Sequence, residues 1–478
     1  MAVVADAARS CTRVVLGLSL VACTKDSAVP FDGPAPTPTS STARGRAIAC
    51  GPHGLPPDRH FVADGLCARV VAFDQGQLRG LTFAPNGDLF AVTLDGDVRR
   101  YRDVDHDGLF DPKPPETVVW ARTNAGGHAC VFERNVLYCG TRSTVKRWHW
   151  TADVDEGGAG EDVVIGLPDA GADEGHALAV AKGMLYVATS AAPRPLPSSY
   201  DLERAVVRRF PLASPTKGRA LTWKQGEVVI RGIHNLSAIA SDAAGRLVGI
   251  DDGAADLLRH GRAVSDEDPG APLVLVEKDK AYGYPFCMFA GRARGAAQVP
   301  PATPLLADVP PPQPGARVTA GSAPRDDAWC QSHVDSPLAL FDANSSARSI
   351  LYPPGTGNFA LPSRWRSGAF VALRGAPGHT HAAGHNVVWL PFDERGATIL
   401  PTITPDGTTY AHEVVFGGGR YGAARDGAWS WQVGDAGDDP VRPTSLALSP
   451  IDGALFVASE SDRAPRGGVV YRVALLGK

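Results

Sequence analysis

Pairs of short, alternating hydrophobic stretches recur along this chain. In residues 175–189, Leu178 and Val180 alternate with alanine, Lys182-Gly183 interrupts the pattern, and Leu185 and Val187 resume it. Two alternating strands joined by a short glycine turn are typical of a β-hairpin. The same arrangement returns at 79–92, 128–139, 234–248 and 442–457, and a strand pattern at 368–373 marks a further unit.

A hairpin of this kind cannot bury both of its faces alone, so its repetition indicates stacked units. We therefore predict an all-β fold, a six-bladed β-propeller. The alternating segment 68–73 precedes the first hairpin. We expect it to pair with the last outer strand, at 468–473, because that pairing closes the ring and removes an open sheet edge.

Polar residues stand directly before the first strand of most of these hairpins. In a propeller the first strand of each blade lines the central axis, so the preceding residues lie where the axial channel opens. We expect one group of side chains to converge there although the chain separates them widely: Arg79, His128, His176, His234, Asn235 and Arg442.

The first 23 residues have the features of an export signal. Arg9 and Arg13 flank the start of a short apolar run, at 14–21, which cannot span a bilayer. Leu20-Val21-Ala22-Cys23 has the form of a bacterial lipobox, which predicts lipidation of Cys23. The alternative is an ordinary cleaved signal peptide.

The chain is expected to divide into three parts. After the signal at 1–23, residues 24–59 form a Pro-, Ser- and Thr-rich stretch that we interpret as a disordered tether. Residues 60–478 form the propeller. The protein would then be exported, either periplasmic or anchored at the outer membrane, and it would touch a membrane only through its N-terminal lipid.

Six cysteines remain once Cys11 and Cys23 are assigned to the signal. An even number in an exported chain indicates disulfides. Several pairings are possible, and we predict that neighbours in sequence pair: Cys50–Cys67, Cys130–Cys139 and Cys287–Cys330. The last pair bounds a proline-rich insertion at 287–330.

The overall charge excludes one class of partner. A formal net charge of −4 gives no general attraction to nucleic acid. A concentration of arginine and histidine at one end of the propeller would therefore be a local feature.

An acidic loop follows the first blade's outer strand. Four aspartates alternate within nine residues and include the D-x-D-x-D-G spacing of a calcium loop: Asp103, Asp105, Asp107 and Asp111. Pro114 stands where an EF-hand has its glutamate, so we predict a structural calcium site between strands. The alternative is a solvated acidic turn.

Three further motifs carry a family resemblance. Residues 231–235 (Arg-Gly-Ile-His-Asn), 281–287 (Ala-Tyr-Gly-Tyr-Pro-Phe-Cys) and 441–443 (Val-Arg-Pro) resemble the soluble glucose/sorbosone dehydrogenases. The resemblance extends over roughly residues 60–475. It implies a six-bladed propeller that carries pyrroloquinoline quinone and Ca²⁺, oxidises an aldose or related sugar, and passes electrons to an external acceptor.

The resemblance also implies roles for individual residues. His176 matches the general base that takes the sugar hydroxyl proton, a role that suits a histidine, with Asp252 or Asp173 to orient it. The residues expected at the cofactor are Arg442, Arg374, Asn235, His234 and Arg79. A cofactor-bound Ca²⁺ would be held in the loop that contains Gly253. Expected substrate or neighbouring contacts are His128 and His333.

Several positions depart from the family pattern. His234 stands where the family has arginine, Leu236 where it has proline and Thr444 where a second arginine is common, and a His-Gly-Ser element is missing after 373. These departures keep two other functions open. One is a non-catalytic propeller that binds a ligand or partner, and the other is a calcium-dependent hydrolase or lactonase. Metal binding by the histidines at 379, 381 and 385 is a weaker hypothesis.

Overall fold

The structure is a computed structural model, and it describes most of the chain after residue 59. The described residues are 50, 54–55, 60–73, 75–169, 176–191, 201–212, 218–242, 244–253, 258–259, 262–263, 270–289, 317–319, 326–341, 343–375, 383–392, 401–404, 407–410, 412–418, 420–423, 429–432, 441–460 and 467–477. The predicted signal at 1–23, nearly all of the predicted tether and most of the insertion at 287–330 lie outside them.

Strands account for nearly all regular structure in the described residues. Those of the first half are β1 (His60–Val62), β2 (Leu66–Ala72), β3 (Leu78–Phe83), β4 (Leu89–Thr93), β5 (Asp97–Tyr101), β6 (Thr117–Arg122), β7 (Ala129–Glu133), β8 (Val136–Gly140), β9 (Thr144–His149), β10 (Glu161–Ile165), β11 (Leu178–Ala181), β12 (Met184–Thr189), β13 (Val206–Pro211), β14 (Leu221–Thr222), β15 (Glu227–Arg231), β16 (Leu236–Ser241) and β17 (Leu247–Asp251).

Those of the second half are β18 (Leu258–Arg259), β19 (Arg262–Ala263), β20 (Ala271–Leu275), β21 (Lys280–Ala281), β22 (Cys287–Phe289), β23 (Arg317–Thr319), β24 (Ala339–Phe341), β25 (Ala347–Leu351), β26 (Gly368–Leu373), β27 (Asn386–Pro391), β28 (Pro401–Thr404), β29 (Gly407–Tyr410), β30 (Glu413–Gly418), β31 (Arg420–Ala423), β32 (Trp429–Gln432), β33 (Pro443–Leu448), β34 (Leu455–Ser459) and β35 (Val469–Leu475). In the described residues, one α-helix, α1 (Asp327–His333), and two short 3₁₀ helices, at Trp223–Gln225 and Ser363–Arg366, accompany them.

The larger sheets are six blades, as the repeated hairpins predicted. Blade one is β3-β4-β5-β6, blade two β7-β8-β9-β10-β14, blade three β11-β12-β13-β15-β21, blade four β16-β17-β20-β24, blade five β25-β26-β27-β30-β1 and blade six β33-β34-β35-β2, each written from the inside outwards. The described residues also form four two-stranded ribbons: β18-β19, β22-β23, β28-β29 and β31-β32.

The blades form a closed ring. Each inner strand contacts the inner strand of the next blade, in the order β3, β7, β11, β16, β25 and β33, and β33 returns to β3. The N-terminal strand β2 pairs antiparallel with β35, in a register that sets Ala68 opposite Val473. This confirms the predicted closure, in which the start of the chain completes the last blade.

Hydrophobic side chains fill the space between neighbouring blades. Leu81 and Leu89 of blade one pack with Ala447 and Phe456 of blade six, for example. Phe90 is fully buried in the next such cluster, where its ring meets Trp120 edge-on at 5.2 Å. Burial of one such side chain contributes about 1.5–3 kcal/mol, so blade-to-blade packing holds the inner strands in place around the axis.

All three predicted disulfides are present: Cys50–Cys67, Cys130–Cys139 and Cys287–Cys330. The second links residues directly opposite each other in the β7-β8 hairpin. The third ties β22 to α1 across a loop of 43 residues in sequence separation, which on a chain-entropy argument contributes about 4 kcal/mol. No helix in the described part of the chain has the length and hydrophobicity needed to cross a bilayer.

Candidate active site at the channel mouth

The six inner strands begin at the same end of the axial channel, which we call the mouth. Three blades meet there through one buried carboxylate. Glu460, just after β34, accepts hydrogen bonds from Arg79 of blade one and Arg374 of blade five. The Glu460 side chain is only 1% exposed. Burial would raise the pKa of Glu460, but the charges of Arg79 and Arg374 outweigh it and hold that pKa below its ordinary value.

Arg442 lies beside this pair and is almost completely buried. Its backbone N–H donates to Ser459 Oγ at 2.9 Å, and its guanidinium donates to the Gly375 carbonyl at 3.4 Å. Burial lowers the pKa of Arg442 to about 10, and the nearby charge of Arg374 adds to this. Arg442 nevertheless stays protonated at neutral pH.

Arg348, in the inner strand of blade five, is a fourth arginine at the mouth. Its charge lowers the pKa of both Arg79 and Arg442, so the three guanidinium groups lie within electrostatic reach of one another. We call Arg79, Arg348, Arg374 and Arg442 the arginine cluster. Its four positive charges outnumber the two carboxylates paired with it, Glu460 and Asp252.

Blade four supplies acidic and amide groups on the other side of the mouth. Asp251 ends the hairpin strand β17 and Asp252 follows it, and His234 and Asn235 precede β16. Asp251 accepts the backbone N–H of His234 at 2.7 Å and of Gly253 at 3.0 Å, which fixes the loops on both sides of the hairpin. We call His234, Asn235, Asp251 and Asp252 the carboxylate cluster.

Asp252 is the residue through which the two clusters meet. It accepts a hydrogen bond from Asn235 Nδ2 at 3.0 Å and lies 3.2 Å from Arg348 and 3.4 Å from His234 Nδ1. Burial would raise the pKa of Asp252, but Arg348 and His234 outweigh it and lower that pKa. At Asp251 burial, together with the charge of Asp252, outweighs the charge of His234 and the backbone N–H groups, and its pKa is raised.

The carboxylate cluster has the donor atoms of a cation site. His234, Asp251 and Asp252 each offer one ligand atom, all within 4.8 Å of one another. Asn235 Oδ1 and Asp252 Oδ1 are buried acceptors with no hydrogen-bond partner among the described residues. A cavity of about 30 Å³ lies beside His234, Asp251 and Gly253, and the rest of its lining is mainly apolar, with Met288 and Phe289. Oxygen donors that lack partners fit a hard cation such as Ca²⁺.

The two inner-rim histidines differ sharply. His176 is completely buried, and its Nδ1 and Nε2 each lie 3.0 Å from a backbone carbonyl, of Ala188 and Arg142 respectively. Burial lowers its pKa. Because both ring nitrogens face acceptors, His176 in this arrangement offers no free lone pair to a substrate proton.

His128 holds the equivalent place one blade earlier and keeps both ring nitrogens available. In the described part of the chain neither nitrogen has a hydrogen-bond partner, and neither is sealed from solvent. Burial lowers the pKa of His128 to about 3, helped by the charges of His176 and Arg79. His128 is therefore neutral at neutral pH, and a pKa this low makes the unliganded ring a weak base.

His385, which the sequence suggested only as a weak metal ligand, lies against the arginine cluster. It is buried, and burial together with the charge of Arg442 lowers its pKa to about 4. A β-carbon on Gly375 would come within 2.5 Å of His385 Nε2, so the glycine makes room for this ring. His379, His381 and Asp173 lie outside the described residues.

His333 lies away from this network. It ends α1, is exposed, and its ring stacks on Trp329 with centroids 4.4 Å apart. Its Nδ1 lies 3.0 Å from the Trp329 carbonyl. These contacts are within its own helix.

The acidic loop gathers some of its predicted ligands but not all. Asp103 and Asp105 approach Glu116, with one oxygen of each within 4.8 Å of the others. Asp107 instead accepts the Leu109 N–H at 2.7 Å, and at Asp111 it is the backbone N–H that donates to Glu116, at 2.8 Å. Sequence spacing missed Glu116 because it follows Pro114-Pro115, two positions past the twelfth residue of the calcium-loop pattern.

Two residues of the mouth had a sequence signal that could have identified them. Arg348 stands near the start of an inner strand, as Arg79 and Arg442 do, but β25 follows the insertion and its alternation is short. Glu460 directly follows the second strand of its hairpin, the place that Asp252 holds in blade four, and the backbone N–H of each donates to the residue before the inner strand, Arg442 or Asn235. In these two blades, the position after the second strand of the hairpin thus places a carboxylate at the mouth.

Comparison with known proteins places this geometry in a family. The family model described as TrAA12-like matches residues 60–465. The chain belongs to the TrAA12-like family. No curated protein matches this TrAA12-like chain.

Solved structures with the same fold include sugar-oxidising enzymes. The Trichoderma reesei carbohydrate-active enzyme of family AA12 superposes with a TM-score of 0.69 at 17% identity, over 87% of this chain and 98% of that one. The pyranose dehydrogenase PQQ domain from Coprinopsis cinerea, in its holo form, gives 0.67 at 16%, over 89% and 99%. The soluble aldose sugar dehydrogenase of Escherichia coli gives 0.53 at 14%, over 86% and 99%. The resemblance seen in the sequence is thereby confirmed: the family is the TrAA12-like one, and the fold is shared with soluble sugar dehydrogenases.

Proposed function

We propose that this TrAA12-like protein is a quinone-dependent oxidoreductase that oxidises an aldose or related sugar at the channel mouth. The observation that supports it most is the arginine cluster, in which four arginines from three blades face one opening. Pyrroloquinoline quinone carries three carboxylates, and buried guanidinium groups are the side chains best suited to bind them. His234 and Thr444 stand where the family has arginine, so the sequence indicates a site poor in positive charge. Arg348 supplies a guanidinium that those two positions lack.

The residues present fit both the quinone and its cation. Arg442, Arg374, Arg79 and Arg348 would hold the quinone carboxylates. The carboxylate cluster would hold Ca²⁺ through acceptors that otherwise lack partners, with Gly253 in the adjoining loop. When bound, the quinone supplies the acceptor for the hydride that leaves the sugar, and the cation polarises a quinone oxygen.

We assign the general base to His128 rather than to His176. A base must offer a lone pair within hydrogen-bond reach of the substrate hydroxyl, and of these two histidines His128 is the one whose ring nitrogens are unoccupied. Its lowered pKa reflects burial and neighbouring arginines. An anion bound among those arginines offsets their charge and raises the pKa of His128 toward the range that suits proton transfer. His176, whose ring lies between the carbonyls of Arg142 and Ala188 and donates to one of them when neutral, is better placed to support the blade-two to blade-three junction.

Reduction of an artificial dye tests the function. Purified protein is incubated with pyrroloquinoline quinone and Ca²⁺, and sugar-dependent dye reduction is followed against samples lacking quinone or sugar. We expect turnover only when both are present. Quinone binding without turnover would favour the non-catalytic alternative, and hydrolysis of a lactone without quinone would favour the calcium-dependent hydrolase, for which the carboxylate cluster is the favourable observation.

Two further proposals concern location and the acidic loop. The three disulfides support export to an oxidising compartment. We propose that the exported protein is lipidated at Cys23 and passes its electrons to an external acceptor in that compartment. Mass spectrometry of the mature protein would identify the lipid at Cys23, and absence of the lipid together with cleavage elsewhere would contradict the anchor.

We also propose that Ca²⁺ braces the loop 103–116 through Asp103, Asp105 and Glu116.

A further inference from the structure

The most informative feature that the proposed function leaves unused is the contact between the two clusters. Arg348 approaches Asp252 through a single nitrogen, at 3.2 Å. Its Nε is buried and has no hydrogen-bond partner in the described residues. Its side chain is 21% exposed, so the guanidinium is only partly engaged and is not sealed from solvent.

Asp252 is also only partly engaged. Its Oδ2 accepts a hydrogen bond from Asn235 and lies 3.2 Å from Arg348, while its buried Oδ1 lies 3.4 Å from His234 Nδ1 and accepts no hydrogen bond in the described residues. A buried carboxylate oxygen without a hydrogen bond costs free energy unless a donor or a cation completes it. Arg348 is the permanently charged side chain in contact with this carboxylate.

We propose that Arg348 is a built-in substitute for the divalent cation, and that the cation and Arg348 exchange at Asp252. This inference rests on the proposed function, because it takes the carboxylate cluster as the cation site. A divalent ion among His234, Asp251 and Asp252 repels a guanidinium held against the same carboxylate. Arg348 then leaves Asp252 and turns its N–H donors toward the other three members of the arginine cluster, where an anion binds.

The exchange makes the cation and the anionic cofactor cooperative. Binding of the cation frees one guanidinium for the anion, and by reciprocity the anion, by holding Arg348, tightens binding of the cation. Arg348 is in this sense a positioning residue that prepares the mouth before substrate arrives. It also neutralises Asp252 when the cation is absent.

Calcium titration of quinone-free protein tests the proposal directly. Isothermal titration with CaCl₂ at low ionic strength compares the wild type with Arg348→Gln, which removes the competing charge, and with Arg348→Lys, which keeps it. We expect Arg348→Gln to bind Ca²⁺ on the order of tenfold more tightly and Arg348→Lys to stay close to the wild type. The control Arg122→Gln removes another arginine that pairs with an aspartate, Asp97 on blade one, and should change nothing.

A double variant assigns the effect to this site. Adding Asp252→Asn to Arg348→Gln should abolish the gain, since the two residues act on each other, while Ca²⁺ held at 103–116 is unaffected. Equal or weaker Ca²⁺ binding by a folded Arg348→Gln protein overturns the exchange but leaves the proposed function standing. Absence of any Asp252-dependent Ca²⁺ binding in the wild type overturns both the exchange and the cation site.

Quinone binding gives an independent readout that needs no turnover. In the wild type Ca²⁺ should tighten quinone binding, measured by fluorescence quenching, and in Arg348→Gln the factor by which it does so should fall severalfold. An identical factor in the two proteins contradicts the proposed release of Arg348.

Discussion

On the side of blades five, six and one, the channel mouth pairs its buried carboxylate with two arginines, whereas on the side of blade four it leaves buried acceptors incomplete. Glu460 satisfies both of its oxygens with Arg79 and Arg374. Asp252 and Asn235, on blade four, each keep a buried oxygen without a hydrogen bond in the described residues. On the first side the protein completes the carboxylate and the excess charge is positive, whereas on the second side buried acceptors remain for a ligand to complete.

The difference explains what each side can contribute to function. Buried ion pairs recover little stability, because desolvation offsets their attraction, so the arginine cluster is better understood as a receptor for anions. Unpaired buried oxygens cost stability outright, so the carboxylate cluster is better understood as a receptor for a cation. Arg348 joins the two.

The largest expected effect comes from breaking the paired side. Glu460→Gln leaves two buried guanidinium groups without their counter-charge and should lower the free energy of unfolding by about 3–5 kcal/mol. Asp252→Asn should cost less, because Arg348 is partly exposed and makes one contact. Urea denaturation measures both.

The matched control for this pair of variants is Glu413→Gln, which breaks an exposed ion pair with Arg364 and should cost about 0–1 kcal/mol. A loss in Asp252→Asn equal to that in Glu460→Gln would contradict the division between a completed and an incomplete side.

Variants of the two histidines at the mouth, His128 and His176, test catalysis, and we expect an effect nearly as large as that of Glu460→Gln. His128→Gln should reduce kcat by about 10²–10⁴-fold, the usual contribution of a general base, with little change in quinone affinity. His176→Gln should instead lower the melting temperature, because it removes a buried ring held by two carbonyls. Steady-state dye reduction and thermal unfolding together distinguish them. A larger loss of kcat in a stably folded His176→Gln protein would return the base to His176.

The pH dependence of stability follows from the buried imidazoles. The pKa values of His128 and His385 are about 3 and about 4 in the folded protein, below the ordinary 6.5. The unfolded chain therefore binds more protons between these values and pH 6.5, so acidification favours unfolding. Each histidine should lower the free energy of unfolding by up to about 1.4 kcal/mol per pH unit in that window.

The double variant His128→Gln/His385→Gln should flatten this slope between about pH 4 and 6.5 relative to the wild type, in urea denaturation at a series of pH values. An unchanged slope would mean that carboxylates such as Glu460 carry the acid sensitivity.

The smallest effect is expected at the acidic loop. Ca²⁺ should raise the melting temperature, and part of that gain should disappear in Asp105→Asn, whose side chain is exposed and contributes little else. Differential scanning calorimetry with Ca²⁺ or EGTA measures it. A Ca²⁺-dependent gain that survives intact in Asp105→Asn but vanishes in Asp252→Asn would place all of the calcium effect at the mouth.

The architecture was predictable because hairpin repetition and ring closure depend on local pattern. The 68–73 segment and the β35 strand show this, since alternation and position alone predicted their pairing. The site was predictable only where polar residues precede a clear inner strand, as at Arg79 and Arg442. Arg348 was hidden by the insertion before it, and the contrast between His128 and His176 depends on which carbonyls face each ring, which no spacing encodes.

The most direct test of the central claim is to measure binding of pyrroloquinoline quinone to purified protein by equilibrium dialysis, over a range of quinone concentrations and with Ca²⁺ present. The mouth should bind one equivalent, with an affinity that falls as salt rises, and Arg442→Gln should weaken it on the order of 100-fold. Absence of binding, or equal binding by a folded Arg442→Gln protein, would contradict the assignment of the channel mouth as a quinone site.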